Sequence, residues 1–288
     1  VEGEGETMGT EQPLRVAIQG ERGAFSHQAA LLALGSEVEV VPQQTFDELF
    51  SSVVDGGADR AVVPIENSLH GSIHENFDRL LHSPLHIVAE TQLRIRQCLI
   101  ARPGSSLGMM RKVASHPVAL AQCRKFFAER PQVEAVTAYD TAGAVRDLMK
   151  SGLATQGAIA SRLAAELYGA HVVVEGIEDD PENYTRFLVL AREPGPIERA
   201  SKTSIVFVLD NKPGALYRAL GVFASRGVDL CKLESRPLRG HPWEYSFYLD
   251  VLGDPRSLAG EAIEELRQGS RDFRILGSYP EGAERNGR

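Results

Sequence analysis

Asn183-Tyr184-Thr185-Arg186-Phe187, running directly into Leu188-Val189-Leu190-Ala191, is a polar segment that opens an apolar strand. The acidic run Glu178-Asp179-Asp180-Pro181-Glu182 precedes it. An amide, a hydroxyl and a guanidinium therefore sit where a loop becomes a buried strand, a place that holds side chains rigidly while leaving them open to a cleft. Alone, the segment also reads as an ordinary strand-initiating turn. The chain around it decides between the two.

Upstream, strand-like and helix-like patterns alternate from Leu14 to Ala191. Strands are predicted over 15–18, 37–41, 61–65 and 85–95, with helices over 25–34, 46–54 and 73–81. The rhythm then repeats, with strands over 113–115, 133–137, 158–160 and 171–174 and helices over 118–129, 142–149 and 163–167. Interleaving of this kind predicts parallel α/β sheets. Two successive sets predict two lobes, about 14–93 with 181–193 and about 94–180, and the chain crosses between them near Arg94 and near Asp180. Residues 194–201, rich in Pro, Gly and charge, read as a linker. Over 202–280 the order is β-α-β-β-α-β, the ferredoxin-like arrangement. Residues 1–13 read as a disordered lead-in in which Met8 offers a native start, and 281–288 as a disordered tail.

A formal net charge of −8 argues against broad attraction to nucleic acid or an anionic membrane, and the sequence holds no apolar run of membrane-spanning length. An acidic protein that binds an anion must do so with local donors. Three scattered cysteines, without a CxxC, argue against a disulfide framework or a zinc site and fit a reducing compartment. No metal-ligand spacing is present, so no metal is expected.

Several segments carry candidate chemistry. Gly20-Glu21-Arg22-Gly23-Ala24 leaves the first strand and enters a helix, where the backbone N–H of Gly23 suits an anion or serves a plain tight turn. Pro64-Ile65-Glu66-Asn67-Ser68-Leu69-His70-Gly71-Ser72 is denser in polar groups than helix capping needs. Within it Glu66 is a candidate acid, base or acceptor, while Asn67, Ser68 and Ser72 are candidate neutral donors. Ser115-His116-Pro117 starts the helix carrying Gln122, with Ser115 read as its N-cap and His116 as a histidine whose protonation the helix dipole disfavours. Asp140-Thr141 reads as a cap first and a ligand contact second. In the last unit, Asn211-Lys212-Pro213-Gly214-Ala215-Leu216 links strand to helix, and Glu234-Ser235-Arg236-Pro237 ends a long strand. Together these suit a zwitterionic amino acid, or else belong to a ferredoxin-like fold with no ligand.

Taken in order, these motifs resemble prephenate dehydratase joined to a C-terminal ACT regulatory domain, over almost the whole chain from about Arg15 to about Tyr279. Thr185-Arg186-Phe187 is similar to the family's T-R-F signature, with Thr185 in the place of its essential threonine. Glu66-Asn67-Ser68 with Gly71-Ser72, and Ser115-His116-Pro117 with Gln122, match further family segments. Gly214-Ala215-Leu216 and Glu234-Ser235-Arg236-Pro237 resemble the ACT motifs that bind phenylalanine. Val118 and Tyr217 depart from common family residues. Nothing resembling a chorismate mutase precedes Leu14, so the chain reads as monofunctional.

The resemblance implies a two-lobed, periplasmic-binding-protein-like catalytic domain followed by a ferredoxin-like ACT domain. It implies decarboxylating dehydration of prephenate to phenylpyruvate, or of arogenate to phenylalanine, without a cofactor. Thr185 would be the leaving-group donor, with Glu66 or His116 as proton source. Gly23, Asn67, Ser68, Gly71, Ser72, Ser115, Gln122, Thr141, Asn183, Arg186 and Phe187 would contact substrate, although Arg186 also reads as a clamp between lobes. Asn211, Pro213, Gly214, Ala215, Leu216, Glu234, Ser235, Arg236 and Pro237 would bind phenylalanine as effector. A homodimer or homotetramer through the ACT domains follows, in the cytoplasm or a plastid stroma. The rival class is a non-enzymatic two-lobed ligand sensor.

Overall fold

The computed structural model describes residues 12–238 and 240–282, so 1–11 of the expected lead-in over 1–13 and 283–288 of the expected tail over 281–288 lie outside the described residues. The first two tail residues are held in place: Glu281 N–H donates to the Ser201 hydroxyl at 2.8 Å and Gly282 N–H to the Glu90 carboxylate at 3.0 Å. In chain order, the first part carries β1 (Leu14–Gln19), α1 (Phe25–Leu34), β2 (Val38–Gln43), α2 (Phe46–Val54), β3 (Arg60–Asn67), β4 (Gly71–Ser72), α3 (His74–His82) and β5 (His86–Arg94). A second run holds β6 (Cys98–Ala101), β7 (Lys112–Ser115), α4 (Pro117–Ala121), α5 (Arg124–Ala128), β8 (Glu134–Thr137), α6 (Thr141–Ser151), β9 (Gln156–Ala160), α7 (Arg162–Tyr168) and β10 (His171–Glu175). Then come β11 (Tyr184–Ala191), β12 (Lys202–Val208), α8 (Ala215–Ala224), β13 (Leu230–Pro237), β14 (Tyr245–Leu252), α9 (Leu258–Gly269) and β15 (Asp272–Tyr279).

Local chemistry accounts for many of these bounds. Helix α2 starts at a capping box: Thr45 accepts from Glu48 N–H while the Glu48 side chain returns to the Thr45 backbone. Its Leu49, Phe50 and Val53, spaced for one helical face, are buried. Strand β1 lies between β2 and β3, and its Val16, Ala17 and Ile18 are all buried, as a central parallel strand covered on both faces requires.

The first sheet has the order β2-β1-β3-β11-β5, with β4 paired to β3. Strand β11, late in the chain, runs antiparallel between β3 and β5. The second sheet has the order β10-β6-β9-β7-β8. The chain passes from the first sheet to the second between Arg94 and Cys98, and returns between Glu175 and Tyr184. Contacts across the two lobes include Arg146 to Glu21 at 2.6 Å, Tyr139 to Glu21, and the Ser161 hydroxyl donating to the Gly23 carbonyl at 2.6 Å.

The helix expected over 118–129 is broken into α4 and α5. The cause is tertiary: the Asp179 carboxylate accepts from Arg124 N–H at 3.1 Å and Lys125 N–H at 2.8 Å, capping a new helix start, while Asp179 N–H donates to the Gln122 carbonyl. The break turns Gln122 toward the space between the lobes.

The third sheet has the order β13-β14-β12-β15 and carries α8 and α9 on one face, which bury Ile205, Phe207, Leu249 and Val251. Its other face is not free. Val206, Tyr248, Leu276 and Tyr279 share a core with Leu80, Ile87, Leu188 and Leu190 of the first lobe. The approach is so close that a Cβ on Gly277 would stand 2.0 Å from the Ile87 carbonyl oxygen.

Candidate active site

Between the first two sheets lies a cleft of about 400 Å³. Thr185 and Asn67, register partners on β11 and β3, form part of its wall. The Asn67 side-chain NH₂ donates to Asn183 Oδ1 at 2.8 Å, the Tyr184 carbonyl at 3.0 Å and Thr185 Oγ1 at 3.0 Å. Its Oδ1 accepts from the N–H groups of Leu69 and His70, both at 3.1 Å. Two backbone donors on the carbonyl fix which end of the amide faces Thr185. Thr185 Oγ1 therefore receives a hydrogen bond, and its own proton is free to point into the cleft.

The facing lobe contributes His116, Gln122 and Thr141. His116, not Ser115, is the N-cap of α4: its Nδ1 accepts from Val118 N–H at 3.3 Å. In the neutral ring that leaves Nε2 as the donor. Gln122 Oε1 accepts from the Gln97 amide at 3.1 Å. The N-termini of α1 and α6, at Phe25, Ser26 and Thr141, also reach the cleft and bring positive dipole ends to it from both lobes. Pro64, Ile73, Ile95 and Phe187 make one part of the wall apolar. Among the described residues no Lys, Arg, Asp or Glu lines the cleft, whose titratable side chains are His70 and His116.

The sequence-predicted residues divide. Thr185, Asn67, Gly71, Ser72, His116, Gln122, Thr141 and Phe187 line this one space. Asn183 is fully buried beneath it, with its Oδ1 held by Asn67, and borders a side pocket near Asp179. Four expected substrate contacts, Gly23, Ser68, Ser115 and Arg186, lie elsewhere, as does Glu66, the expected alternative proton source. Gly23 spends its N–H on His27 Nδ1 at 3.0 Å, and at φ +92° a Cβ there would stand 2.7 Å from Ala164 Cα, so this turn serves lobe packing. Ser68 staples its loop to β11, donating to the Glu182 carbonyl at 2.7 Å and accepting from Tyr184 N–H at 2.9 Å. Ser115 is fully buried and donates to the Ile159 carbonyl at 2.6 Å.

Glu66 and Arg186 are the instructive pair. They are register partners, one residue displaced from Asn67 and Thr185, so strand alternation sends them to the opposite face of the sheet. Arg186 meets Glu90 at 2.6 Å and Asp250 of β14 at 2.7 Å, with Tyr279 and Lys202 completing the network. Arg186 is thus a clamp, but between the first lobe and the C-terminal unit rather than between the lobes. Burial pushes the Glu90 carboxyl up, and the Arg186 charge, the Lys202 hydrogen bond and the Gly282 N–H together outweigh it, leaving its pKa below the ordinary carboxylate range. Glu66 pairs with Lys232 of β13 at 2.8 Å.

In the C-terminal unit, Asn211, Ala215 and Leu216 line a small cavity of about 120 Å³ with Trp243 and Tyr245. Gly214 takes φ +76° at the N-cap of α8, and the Pro213 carbonyl accepts from Arg218. Glu234 and Arg236 do not join this turn. They face the first lobe, where Arg236 pairs with Asp78 at 3.0 Å, while Ser235 and Pro237 stand exposed on the other side of the strand. Sequence reasoning missed Gln97, which lies in a crossing segment with no periodicity, and Lys232, whose partners Glu66 and Ser72 are more than 150 positions away. A wider groove of about 590 Å³ between α2 and α3 holds none of the motif residues, and its Arg79 is paired with Asp47 and Glu75.

The family model of prephenate dehydratase matches residues 16–195. The chain belongs to the prephenate dehydratase family. It is 45% identical over 288 residues to arogenate dehydratase/prephenate dehydratase 2, chloroplastic, of Arabidopsis thaliana, covering 96% of this chain and 75% of that protein. It is 46% identical over 287 residues to arogenate dehydratase 2 of Petunia hybrida, covering 93% and 72%. Among solved structures, a prephenate dehydratase from Arthrobacter aurescens in complex with L-Phe superposes with a TM-score of 0.83 at 33% identity, covering 93% of this chain and 90% of that one. GqqA, described as a novel type of quorum quenching acylase, superposes with a TM-score of 0.85 at 37% identity, covering 93% and 98%. Membership in a family of named enzymes disfavours the sensor reading. Of this dehydratase-family chain, the family model spans both lobes, and the two cited relatives and both structures extend over 93% or more of it. Among its described residues no helix is long and apolar enough to cross a membrane.

Proposed function

We propose that the cleft converts prephenate, or its amino counterpart arogenate, by loss of carbon dioxide and water. The bond from the ring to its carboxylate breaks, that electron pair enters the ring, and the ring C–O bond breaks to release hydroxide, which leaves as water after taking a proton. Aromatisation drives the step, and no outside electron acceptor is needed. The observation that carries this reading is the Asn67–Thr185 contact at 3.0 Å, which leaves the Thr185 proton free to meet the departing hydroxyl. The apolar wall solvates the ring carboxylate poorly and favours its departure. With Glu66 turned away, His116 is the ultimate proton source. The N-termini of α1 and α6 hold carboxylate charge in place of an arginine.

The C-terminal unit, in this reading, is an ACT domain that senses phenylalanine at the cavity lined by Asn211, Ala215 and Leu216, and two chains associate through the exposed edge of β13. The β-α-β-β-α-β order and the L-Phe complex of the Arthrobacter protein support the assignment. Leu233, exposed on that edge, supports the association. The setting is the cytoplasm or, as in the relatives named chloroplastic, the plastid. The test is incubation with prephenate, following phenylpyruvate by its ultraviolet absorbance in base, and in parallel with arogenate, following phenylalanine. Formation of neither product refutes the proposal.

A further inference from the structure

Ser72 belongs to the cleft wall, yet its side chain is held entirely by the C-terminal unit. Its hydroxyl donates to Glu234 Oε2 at 2.6 Å and accepts from Lys232 Nζ at 2.7 Å. Lys232 Nζ also meets Glu66 Oε1 at 2.8 Å and stands 3.6 Å from Glu234 Oε2. Glu66 and Ser72 are register partners in the β3–β4 hairpin, so a single ammonium clamps both of its strands. The other Glu234 oxygen reaches His74 Nε2 at 3.2 Å, at the start of α3. The Lys232 and Glu234 side chains are only 12% and 19% exposed, so solvent screens these contacts weakly.

A serine hydroxyl has one proton, and here Glu234 takes it. Ser72 is therefore not a substrate donor in this arrangement. It is an anchor that ties the backbone of Gly71–Ile73, which lines the cleft, to β13. Without Lys232, the Glu66 and Glu234 carboxylates would face each other across Ser72 with no cation between them. Their repulsion would drive the hairpin from β13 and move the cleft wall with it.

We propose that Lys232 and Glu234 are positioning residues for the dehydration: through Ser72, strand β13 sets the wall against which the substrate rests. The inference rests on the cleft being the dehydratase site. Strand β13 also carries Ser235 and Pro237 on its open side, so whatever settles on that edge is read by the cleft through the same strand.

The test uses the full chain. Lys232→Met raises KM by roughly 2- to 30-fold, the span expected along a coupling network, with a smaller change in kcat. Lys232→Arg, which keeps the charge, recovers most of it, and adding Glu66→Gln to Lys232→Met recovers part by removing one of the facing carboxylates. Lys232→Gln takes the place of the methionine variant should that not fold. Arg274→Met is the control: it cuts contacts of the same unit with the carbonyls of Leu80, Leu81 and Leu85, away from the cleft, and lowers Tm with KM unmoved. An unchanged KM in folded Lys232→Met, or an equal rise in Arg274→Met, overturns the proposal. Amide hydrogen exchange over 68–76 gives a readout independent of turnover. Faster exchange in Lys232→Met but not in Arg274→Met supports the positioning role even if wild type converts neither substrate, whereas equal exchange refutes it while leaving the proposed reaction untouched.

Discussion

Thr185 and Arg186 are consecutive on β11 and serve opposite sides of one sheet. The Thr185 hydroxyl oxygen lies 3.0 Å from Asn67 Nδ2 in the cleft, while the Arg186 guanidinium lies 2.7 Å from Asp250 in the C-terminal unit. A single strand thus carries the hydroxyl proposed as leaving-group donor and the ion pair that holds the C-terminal unit. The strand is hydrogen-bonded along both edges, to β3 and to β5.

Thr185→Ala is expected to fold with a wild-type melting temperature and to lose ~10²–10⁴-fold in kcat, the range for removal of a positioned proton donor. Thr185→Ser, which keeps a hydroxyl for Asn67 to orient, retains most of the rate. Steady-state kinetics on both substrates check this, and near-wild-type turnover in the alanine variant would remove Thr185 from the mechanism.

Arg186→Met is expected to act on stability first. The Glu90 side chain is fully buried and that of Asp250 is 9% exposed, so removing the guanidinium leaves carboxylates uncompensated, at a cost of ~3–5 kcal/mol. Lys202 still faces Glu90 and softens the loss. Denaturant titration measures it. Per folded molecule, kcat should fall far less than in Thr185→Ala, and the reverse ranking would return Arg186 to the substrate.

The same network sets an acid limit. Glu90 has a folded-state pKa below its unfolded value, so the stability it supplies is present above the unfolded pKa, about 4.3, and is lost as pH falls through the folded one. Undocking of the C-terminal unit should therefore begin below about pH 4 and be visible as faster proteolysis within 194–201. Glu90→Gln flattens that part of the profile at the expense of stability near neutral pH. A wild-type profile unchanged between pH 5 and 3 contradicts the assignment.

Much of this was legible in the sequence because local rules governed it. Helix α2 ends where its periodic pattern ends, at Val54, and the β-α-β-β-α-β order of the last unit follows from its alternation. The period-2 rule also separates Thr185 from Arg186, and Asn67 from Glu66, so the misplacement of Glu66 in the cleft was avoidable. The break at Gln122 was not, because its cause is the carboxylate of Asp179, far along the chain. Nor was the place of Lys232: a lysine on an alternating edge strand reads as solvated until the first lobe is packed against it. Motif order led to Ser72 and Ser115 as substrate contacts, but only the folded structure shows that Glu234 and the Ile159 carbonyl already hold their protons.

Trp243 supplies the remaining test. It is the chain's one tryptophan, and it borders the small cavity with Asn211, Ala215 and Leu216. It is 81% exposed and is the one non-glycine residue with positive φ among those described, at 66°. Such a conformation costs on the order of 1–3 kcal/mol and persists where surrounding structure or a function requires it. An indole held open beside the cavity proposed to sense phenylalanine should be covered when an aromatic amino acid settles there. Titration with phenylalanine is therefore expected to shift Trp243 emission to shorter wavelength and to change turnover over the same concentration range, with a coupling of ~1–3 kcal/mol between the two sites. Alanine at the same concentrations should do neither. Sedimentation in the presence and absence of phenylalanine tests the proposed association through β13 in the same samples. Silent fluorescence together with flat kinetics in saturating phenylalanine would show that this unit, despite its fold, does not sense that amino acid.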